Sequence, residues 1–260
     1  MLEKIAQTRH LSRAIGAVNR LVSERGESNA VSMAADVIFN YRKLNAEQRS
    51  KFFMALAEQF NINVEALTKA TQSFSADPSA RNYIRLQKIS ESPRQELLRR
   101  LNRAPGGTAA VVEMRRDLLS LLHKKPELAG LDYDMRHLLS SWFNPGFLKM
   151  HRVDWKSPAE VLEKIIAHEA VHAIDGWDDL RRRLQPDRRC FAFFHPQLPD
   201  EPLIFVEVAL LPEIPVAIMP LVDKKSAPVE QTNQYKVAAF YSISNCESGL
   251  RGVSMGNFLI

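Results

Sequence analysis

The pattern in this sequence most typical of a metal site is HExxH at residues 168–172. On a helix, its two histidines lie on one face and can both bind Zn²⁺, while Glu169 activates a metal-bound water. A catalytic zinc needs a third protein ligand, which the longer form of the motif places six residues after the second histidine, with a glycine three residues after it. Asp178 stands at the ligand position, but the glycine comes one residue late, at Gly176. The sequence therefore predicts no catalytic metal, and a zinc metallopeptidase stays an alternative hypothesis.

A second pattern is a glycine-spaced segment near residue 260, where a strand predicted at Val237 to Ser244 runs into a turn of small residues and a helix follows. Glycines at 249, 252 and 256 would let the backbone approach a ligand closely. Backbone N–H groups at a helix N-terminus attract phosphate, and Arg251 adds a cation for a pyrophosphate. The spacing RGVSMG is near the Arg/Gln-x-x-Gly-x-Gly/Ala loop with which acetyltransferase-like folds hold coenzyme A, although Ser254 replaces the first glycine. A purely structural strand–helix turn is the alternative interpretation.

The predicted secondary structure, which must position these residues, changes near the middle of the chain. Apolar residues three and four apart predict seven or eight short helices as far as about Ser141, and the turn Asn144-Pro-Gly predicts a domain boundary between residues 143 and 144. Helices and strands alternate after it. The predicted elements are a helix from a capping box at Ser157 to about Ile174, a short helix at Trp177–Leu184, strands at Cys190–Phe194, Leu203–Leu211, Val216–Met219 and Val237–Ser244, and the first turn of an apolar helix at Phe258–Ile260.

Composition narrows the class of protein. With 45% hydrophobic and 25% charged residues, the chain is globular rather than disordered, collagenous or a coiled coil. A net charge of +5 suits an anionic small molecule at one pocket better than a nucleic acid. Two cysteines cannot form a disulfide framework, so we expect a cytoplasmic protein. The most apolar stretch, Pro202–Val222, contains two glutamates and is broken by prolines at 212, 215 and 220, so no membrane partner is expected.

Four stretches carry a resemblance to a known family. They are Trp177–Leu184, Pro186–Pro196, Glu201–Leu210, and FYSIS followed by GLRGVxxGxFLI within 240–260. These four stretches, in this order, resemble malonyl-CoA decarboxylase. The resemblance is dense from about Asn144 to Ile260 and extends more weakly through the helical half.

The resemblance implies an α+β protein, with an all-helical assembly domain at 1–143 followed by an incomplete acetyltransferase-like (GNAT-type) α/β domain at 144–260. It implies a carbon–carbon lyase that converts malonyl-CoA to acetyl-CoA and CO₂ without a metal or organic cofactor, as a homotetramer. The family's malonyl-CoA-binding stretch corresponds to Arg251, Gly252, Val253, Ser254, Met255, Gly256 and Asn257.

The family's catalytic residues have no counterpart in this chain. Its serine lies in a Ser-Pro-x-Pro-Gly-Phe stretch and its histidine in a His-x-x-Asn-Gly-Ala stretch; neither occurs here, and both are expected beyond Ile260. We therefore expect an N-terminal fragment that is inactive alone; a noncatalytic acyl-CoA-binding or assembly module is a further alternative. We transfer neither role to the other histidines and serines considered, which are His168, His172, His195, Ser242, Ser244 and Ser254.

Overall fold

A computed structural model describes residues 2–23, 29–228 and 234–255, with side chains from Arg9 onward in the first helix. The chain divides into two compact units, Met1–Ser141 and Trp142–Ile260. The first unit is helical and the second contains a sheet, so the predicted α+β class is confirmed. The division falls two residues before the predicted boundary, and the roles assigned to the two domains stay predictions.

Eight α-helices begin in the described part of the first unit, which agrees with the predicted number. The third follows a capping box at Asn45: its side chain accepts from the backbone N–H of Gln48 at 2.9 Å, and the Gln48 side chain accepts from the backbone of Asn45 at 2.8 Å. No described helix is long and apolar enough to cross a membrane. The helices are α1 Leu2–Ser23, α2 Ala30–Arg42, α3 Ala46–Gln59, α4 Val64–Ala76, α5 Ala80–Ser90, α6 Pro93–Asn102, α7 Gly107–Leu119 and α8 Ala129–Trp142.

The core of the first unit forms where α1 packs against α2, α3 and α6. Three buried rings, Tyr41, Phe52 and Phe53, lie with their centroids 5.4 to 6.0 Å apart. Burying one such ring contributes about 1.5–3 kcal/mol through removal of apolar surface from water. The Tyr41 hydroxyl donates to Asp117 at 2.6 Å, so its polar end is satisfied as well.

The second unit contains a four-stranded antiparallel sheet in the order β1-β2-β3-β4, with helices in its connections. The predicted short helix and the strands predicted at Cys190, Leu203 and Val237 are confirmed to within two residues at each end. The elements are β1 Lys149–Val153, α9 Ala159–His168, α10 Gly176–Arg183, β2 Arg188–Phe194, β3 Ile204–Leu211, α11 Met219–Val222 and β4 Val237–Asn245.

The strand predicted at Val216–Met219 is wrong. Prolines at 212, 215 and 220 interrupt backbone pairing there, and Val216 is fully exposed, so the segment has no face to bury. Conversely, β1 was not predicted. Its first four residues are exposed and only Val153 is buried, so its sequence lacks the alternation that indicates a strand.

The helix predicted from Ser157 to about Ile174 is shorter than expected, since α9 ends at His168. Its capping box does not form either: the Ser157 hydroxyl accepts from the backbone N–H of Asp154 at 3.0 Å instead. The apolar face of α9 and that of α10 cover one face of the sheet. The buried side chains of this layer are Val153, Val161, Leu162, Ile165, Ile174, Leu180, Leu184, Cys190, Ala192, Phe194 and Phe205.

A β-bulge interrupts the pairing of β3 with β4. Glu207 pairs with Ser242 and Val208 with Phe240, so Tyr241 is the extra residue. A bulge re-aims side chains and increases local twist. Tyr241 and Ser242 are both buried as a result, although they are neighbours in a strand whose side chains would otherwise alternate between faces.

Candidate functional site

The glycine-spaced segment forms a turn directly after β4. A short 3₁₀ turn spans Ser248–Leu250, and Gly252 follows it with φ of +79°. Side chains other than glycine rarely adopt this left-handed conformation, so the turn requires Gly252. Leu250 and Met255 are each 2% exposed, and their burial anchors the turn on both sides of Gly252.

A cavity of about 370 Å³ opens beside this turn. Arg251, Gly252 and Val253 line it, and of these Arg251 and Gly252 are exposed. Ser254 is exposed and Met255 is buried directly after the lining residues. Gly256 and Asn257 lie outside the described residues, as does the apolar helix predicted at Phe258–Ile260. The remaining lining residues are Asn245, Glu247, Ser248 and Leu250.

The HExxH segment does not have the geometry of a zinc site. Because α9 ends at His168 and Glu169 has extended backbone, the two histidines do not share a helical face. Within the described ranges, no group of three histidine, cysteine, aspartate or glutamate side chains could hold a metal ion. The metallopeptidase hypothesis is therefore wrong in its central premise, which was one helix carrying all five residues.

The Glu169 carboxylate instead holds two separate segments together. It accepts the backbone N–H groups of Val171 and His172, each at 2.8 Å, and the hydroxyls of Ser242 and Ser244 at 2.7 and 3.1 Å. In a continued helix these two N–H groups would donate to carbonyl oxygens four residues earlier, so the carboxylate replaces the helical hydrogen bonds that are lost where α9 ends. The carboxylate thereby ties the end of α9 to β4, with Ser244 four residues before the 3₁₀ turn begins at Ser248.

A second buried group, the Arg183 guanidinium, fixes the same region from α10. It donates to Glu207 at 2.7 Å, to Asp179 at 3.1 Å and to the carbonyl oxygen of His172 at 2.8 Å. Arg183 is 2% exposed and Glu207 is 1% exposed, so both charges are removed from water and depend on each other.

A third buried charge cluster lies around Asp187. Its carboxylate accepts two hydrogen bonds from Arg182, at 2.8 and 3.0 Å, and one from Arg188 at 2.7 Å. Runs of adjacent arginines normally form solvated faces, but Arg182, Arg183 and Arg188 are buried and paired with carboxylates. Opposite charges that pair between different elements have no regular spacing in the sequence, so such pairs cannot be predicted from periodicity.

Other side chains that could act as nucleophile or base are held in structural positions. Burial raises the pKa of the Cys190 thiol well above its ordinary value and that of Cys246 to about 12, so neither forms a reactive thiolate near neutral pH. Burial also lowers the pKa of His195, whose Nε2 lies 3.2 Å from the carbonyl oxygen of Trp142.

Glu207 gives the stability of this unit a dependence on pH. Burial raises the pKa of Glu207 from 4.5 to about 7, Arg183 opposes the shift, and Glu169 adds to it. Between pH 4.5 and 7 the unfolded chain releases this proton while the folded protein keeps it. We therefore expect the free energy of unfolding to fall as the pH rises through this window, by up to about 1.4 kcal/mol per pH unit.

The measurement is chemical denaturation at several pH values for the wild type and for Glu207→Gln, which cannot titrate there. All other groups are common to both proteins, so the difference between their unfolding free energies isolates Glu207. A difference that stays constant from pH 4.5 to 7 would contradict the raised pKa.

The geometry defines a class of protein: an α+β chain with a helical unit, an antiparallel sheet, and a glycine-dependent turn with a cavity after the last strand. Residues 60–143 match the malonyl-CoA decarboxylase N-terminal domain, and residues 146–260 match the malonyl-CoA decarboxylase C-terminal domain. The chain belongs to the malonyl-CoA decarboxylase family.

Curated relatives include the mitochondrial malonyl-CoA decarboxylases of Anser anser anser, 36% identical over 258 residues, and of Mus musculus, 34% identical over 252 residues. Each alignment covers 91% of this chain, with 50% of the goose and 51% of the mouse protein. The chain therefore spans about half the length of the curated relatives it matches.

Solved structures are similar over nearly the whole chain. Malonyl-CoA decarboxylase from Rhodopseudomonas palustris is 49% identical with a TM-score of 0.87, covering 96% of this chain and 61% of that one. The enzyme from Agrobacterium vitis is 48% identical, also with a TM-score of 0.87, covering 94% of this chain and 59% of that one.

Proposed function

We propose that this chain supplies the acyl-CoA-binding part of a malonyl-CoA decarboxylase, a carboxy-lyase that forms acetyl-CoA and CO₂. The observation that carries the proposal is the match to both domains of the family across residues 60–143 and 146–260. The stretch from Arg251 to Asn257 is proposed as the substrate-binding segment. The cavity along its first three residues and the positive φ of Gly252 support this assignment.

The chemistry of the substrate limits what the protein must do. The malonyl carboxylate is β to a thioester carbonyl, so when the bond to CO₂ breaks its electron pair delocalises into an enolate. Protein groups then need only position the substrate, stabilise the enolate oxygen and deliver a proton to carbon. We propose that the described residues of this chain position the substrate. Arg251 pairs with its pyrophosphate, and the backbone of the turn approaches that pyrophosphate closely. The family's Ser-Pro-x-Pro-Gly-Phe and His-x-x-Asn-Gly-Ala stretches do not occur in these 260 residues, so we propose binding without turnover for this chain alone.

Three finer assignments belong to the same proposal. The second unit is an acetyltransferase-like domain, which its antiparallel strands and the turn after β4 support. The helical unit at 1–143 serves assembly, and the whole protein is a homotetramer. The protein acts in the cytoplasm, for which the support is the two unpaired cysteines.

Replacing Arg251 with alanine tests the binding assignment. We expect the affinity for coenzyme A to fall by about 1–3 kcal/mol, because a charge-assisted pair is lost while backbone contacts remain. The measurement is calorimetric titration of coenzyme A and dephospho-coenzyme A into wild type and variant.

Arg181→Ala is the matched control, since Arg181 is also exposed in the second unit but does not line the cavity. Equal loss of affinity in both variants would show a general charge effect and refute a specific role for Arg251. Turnover of malonyl-CoA by the 260-residue chain would contradict the proposal that catalysis needs residues outside it.

A further inference from the structure

The cavity beside the turn contains an acidic side chain as well as Arg251. Glu247 lies in the lining, and its carboxylate Oε1 accepts the backbone N–H of Gly249 at 2.9 Å. Glu247 is also the residue directly before the 3₁₀ turn at Ser248–Leu250. A carboxylate therefore lines the same cavity as Arg251, the residue that is proposed to pair with the negatively charged pyrophosphate.

We propose that Glu247 limits the affinity of this site for phosphorylated ligands, because its carboxylate lines the same cavity in which the pyrophosphate is proposed to pair with Arg251. This inference rests on the proposed function of the turn as a coenzyme A site. A carboxylate and a pyrophosphate are both negatively charged, so they repel each other when they lie in one cavity. The bound ligand must displace the carboxylate or tolerate its repulsion.

The size of this effect follows from the position of Glu247. Its side chain is half-buried at the edge of an open cavity, where water screens charges strongly. Removing one negative charge a few ångströms from a pyrophosphate in such surroundings should raise affinity by about three- to tenfold. The change should shrink in high salt, because the screening length falls from about 10 Å at 0.1 M to about 3 Å at 1 M.

The test uses the 260-residue chain and two substitutions. Glu247→Gln keeps an oxygen acceptor for the Gly249 N–H and removes the charge, while Glu247→Ala removes both. Coenzyme A and pantetheine, which lacks the pyrophosphate and the nucleotide, are titrated at low and high salt. Glu213→Gln is the matched control, because it removes the same charge from an exposed residue outside the cavity lining.

Tighter binding of coenzyme A by both Glu247 variants at low salt, with pantetheine and Glu213→Gln unchanged, is the expected result. A purely structural role for Glu247 would weaken binding instead. If wild type binds coenzyme A and the Glu247 variants bind it equally or less tightly, the inference is overturned while the proposed function stands. If no variant and no wild-type protein binds coenzyme A, the proposed function is overturned and the inference with it.

Discussion

Gly252→Val is expected to weaken coenzyme A binding about five- to thirtyfold, since a side chain at left-handed φ costs roughly 1–2 kcal/mol. Gly252 has φ of +79° in the turn after β4. Valine would drive the turn toward another conformation, and binding would have to restore the original one. The branched side chain would also keep a phosphate away from the backbone. Calorimetric titration of coenzyme A into the variant measures the loss.

Gly176→Val separates this local effect from general destabilisation. Gly176 has φ of +72° at the start of α10, in the same unit, and a Cβ there would meet nothing within 4 Å. We expect Gly176→Val to lower the free energy of unfolding and leave the affinity unchanged. Wild-type affinity in Gly252→Val would show that the turn does not hold the phosphates.

At pH 8, where Glu207 is ionised, Arg183→Met is expected to lower the free energy of unfolding by about 3–5 kcal/mol, because breaking a buried ion pair leaves the other charge without compensation. Methionine fills similar space but donates nothing to Glu207, Asp179 or the carbonyl oxygen of His172. Chemical denaturation monitored by circular dichroism measures the change.

Two further variants make the result specific to the ion pair. Arg181→Met lies on the same helix but is exposed, with its guanidinium over the ring of Trp155 at 5.4 Å, and we expect less than about 1 kcal/mol. Adding Glu207→Gln to Arg183→Met should recover part of the lost stability, because no unpaired carboxylate then remains at that position. Equal destabilisation by Arg181→Met and Arg183→Met would contradict the structural account.

Much of the fold could be predicted from local sequence. The helices of the first unit follow from apolar spacing and from caps such as Asn45, and β3 follows from an apolar run between turns. These signals lie within one element. The end of α9 could not be predicted, because Glu169 meets Ser242 and Ser244, which are more than 70 residues away in the sequence.

The candidate site shows the same contrast. Glycine spacing indicated the turn, and the structure adds the reason for one glycine, the positive φ of Gly252. Nothing in the residue pattern singles out Glu247, since an isolated glutamate in a loop is normally solvated. HExxH was conspicuous because its residue types are those of zinc enzymes, yet its glutamate is a buried structural acceptor. Residue types predict chemistry only where the backbone has the conformation that the chemistry needs.

The order of the strands has a consequence for synthesis on the ribosome. The four strands have the same order in the sheet as along the chain, β1-β2-β3-β4. Each strand therefore pairs with the one made immediately before it. A nascent chain can therefore add these four strands one at a time to the edge of a sheet already present, and none of the four described strands waits for a later one to be inserted between it and its predecessor. Pairings between successive strands also need shorter loops to close, which favours rapid folding. Glu169 is the exception: its partners Ser242 and Ser244 are made more than 70 residues later, so the end of α9 reaches its final hydrogen bonding only when β4 has been made.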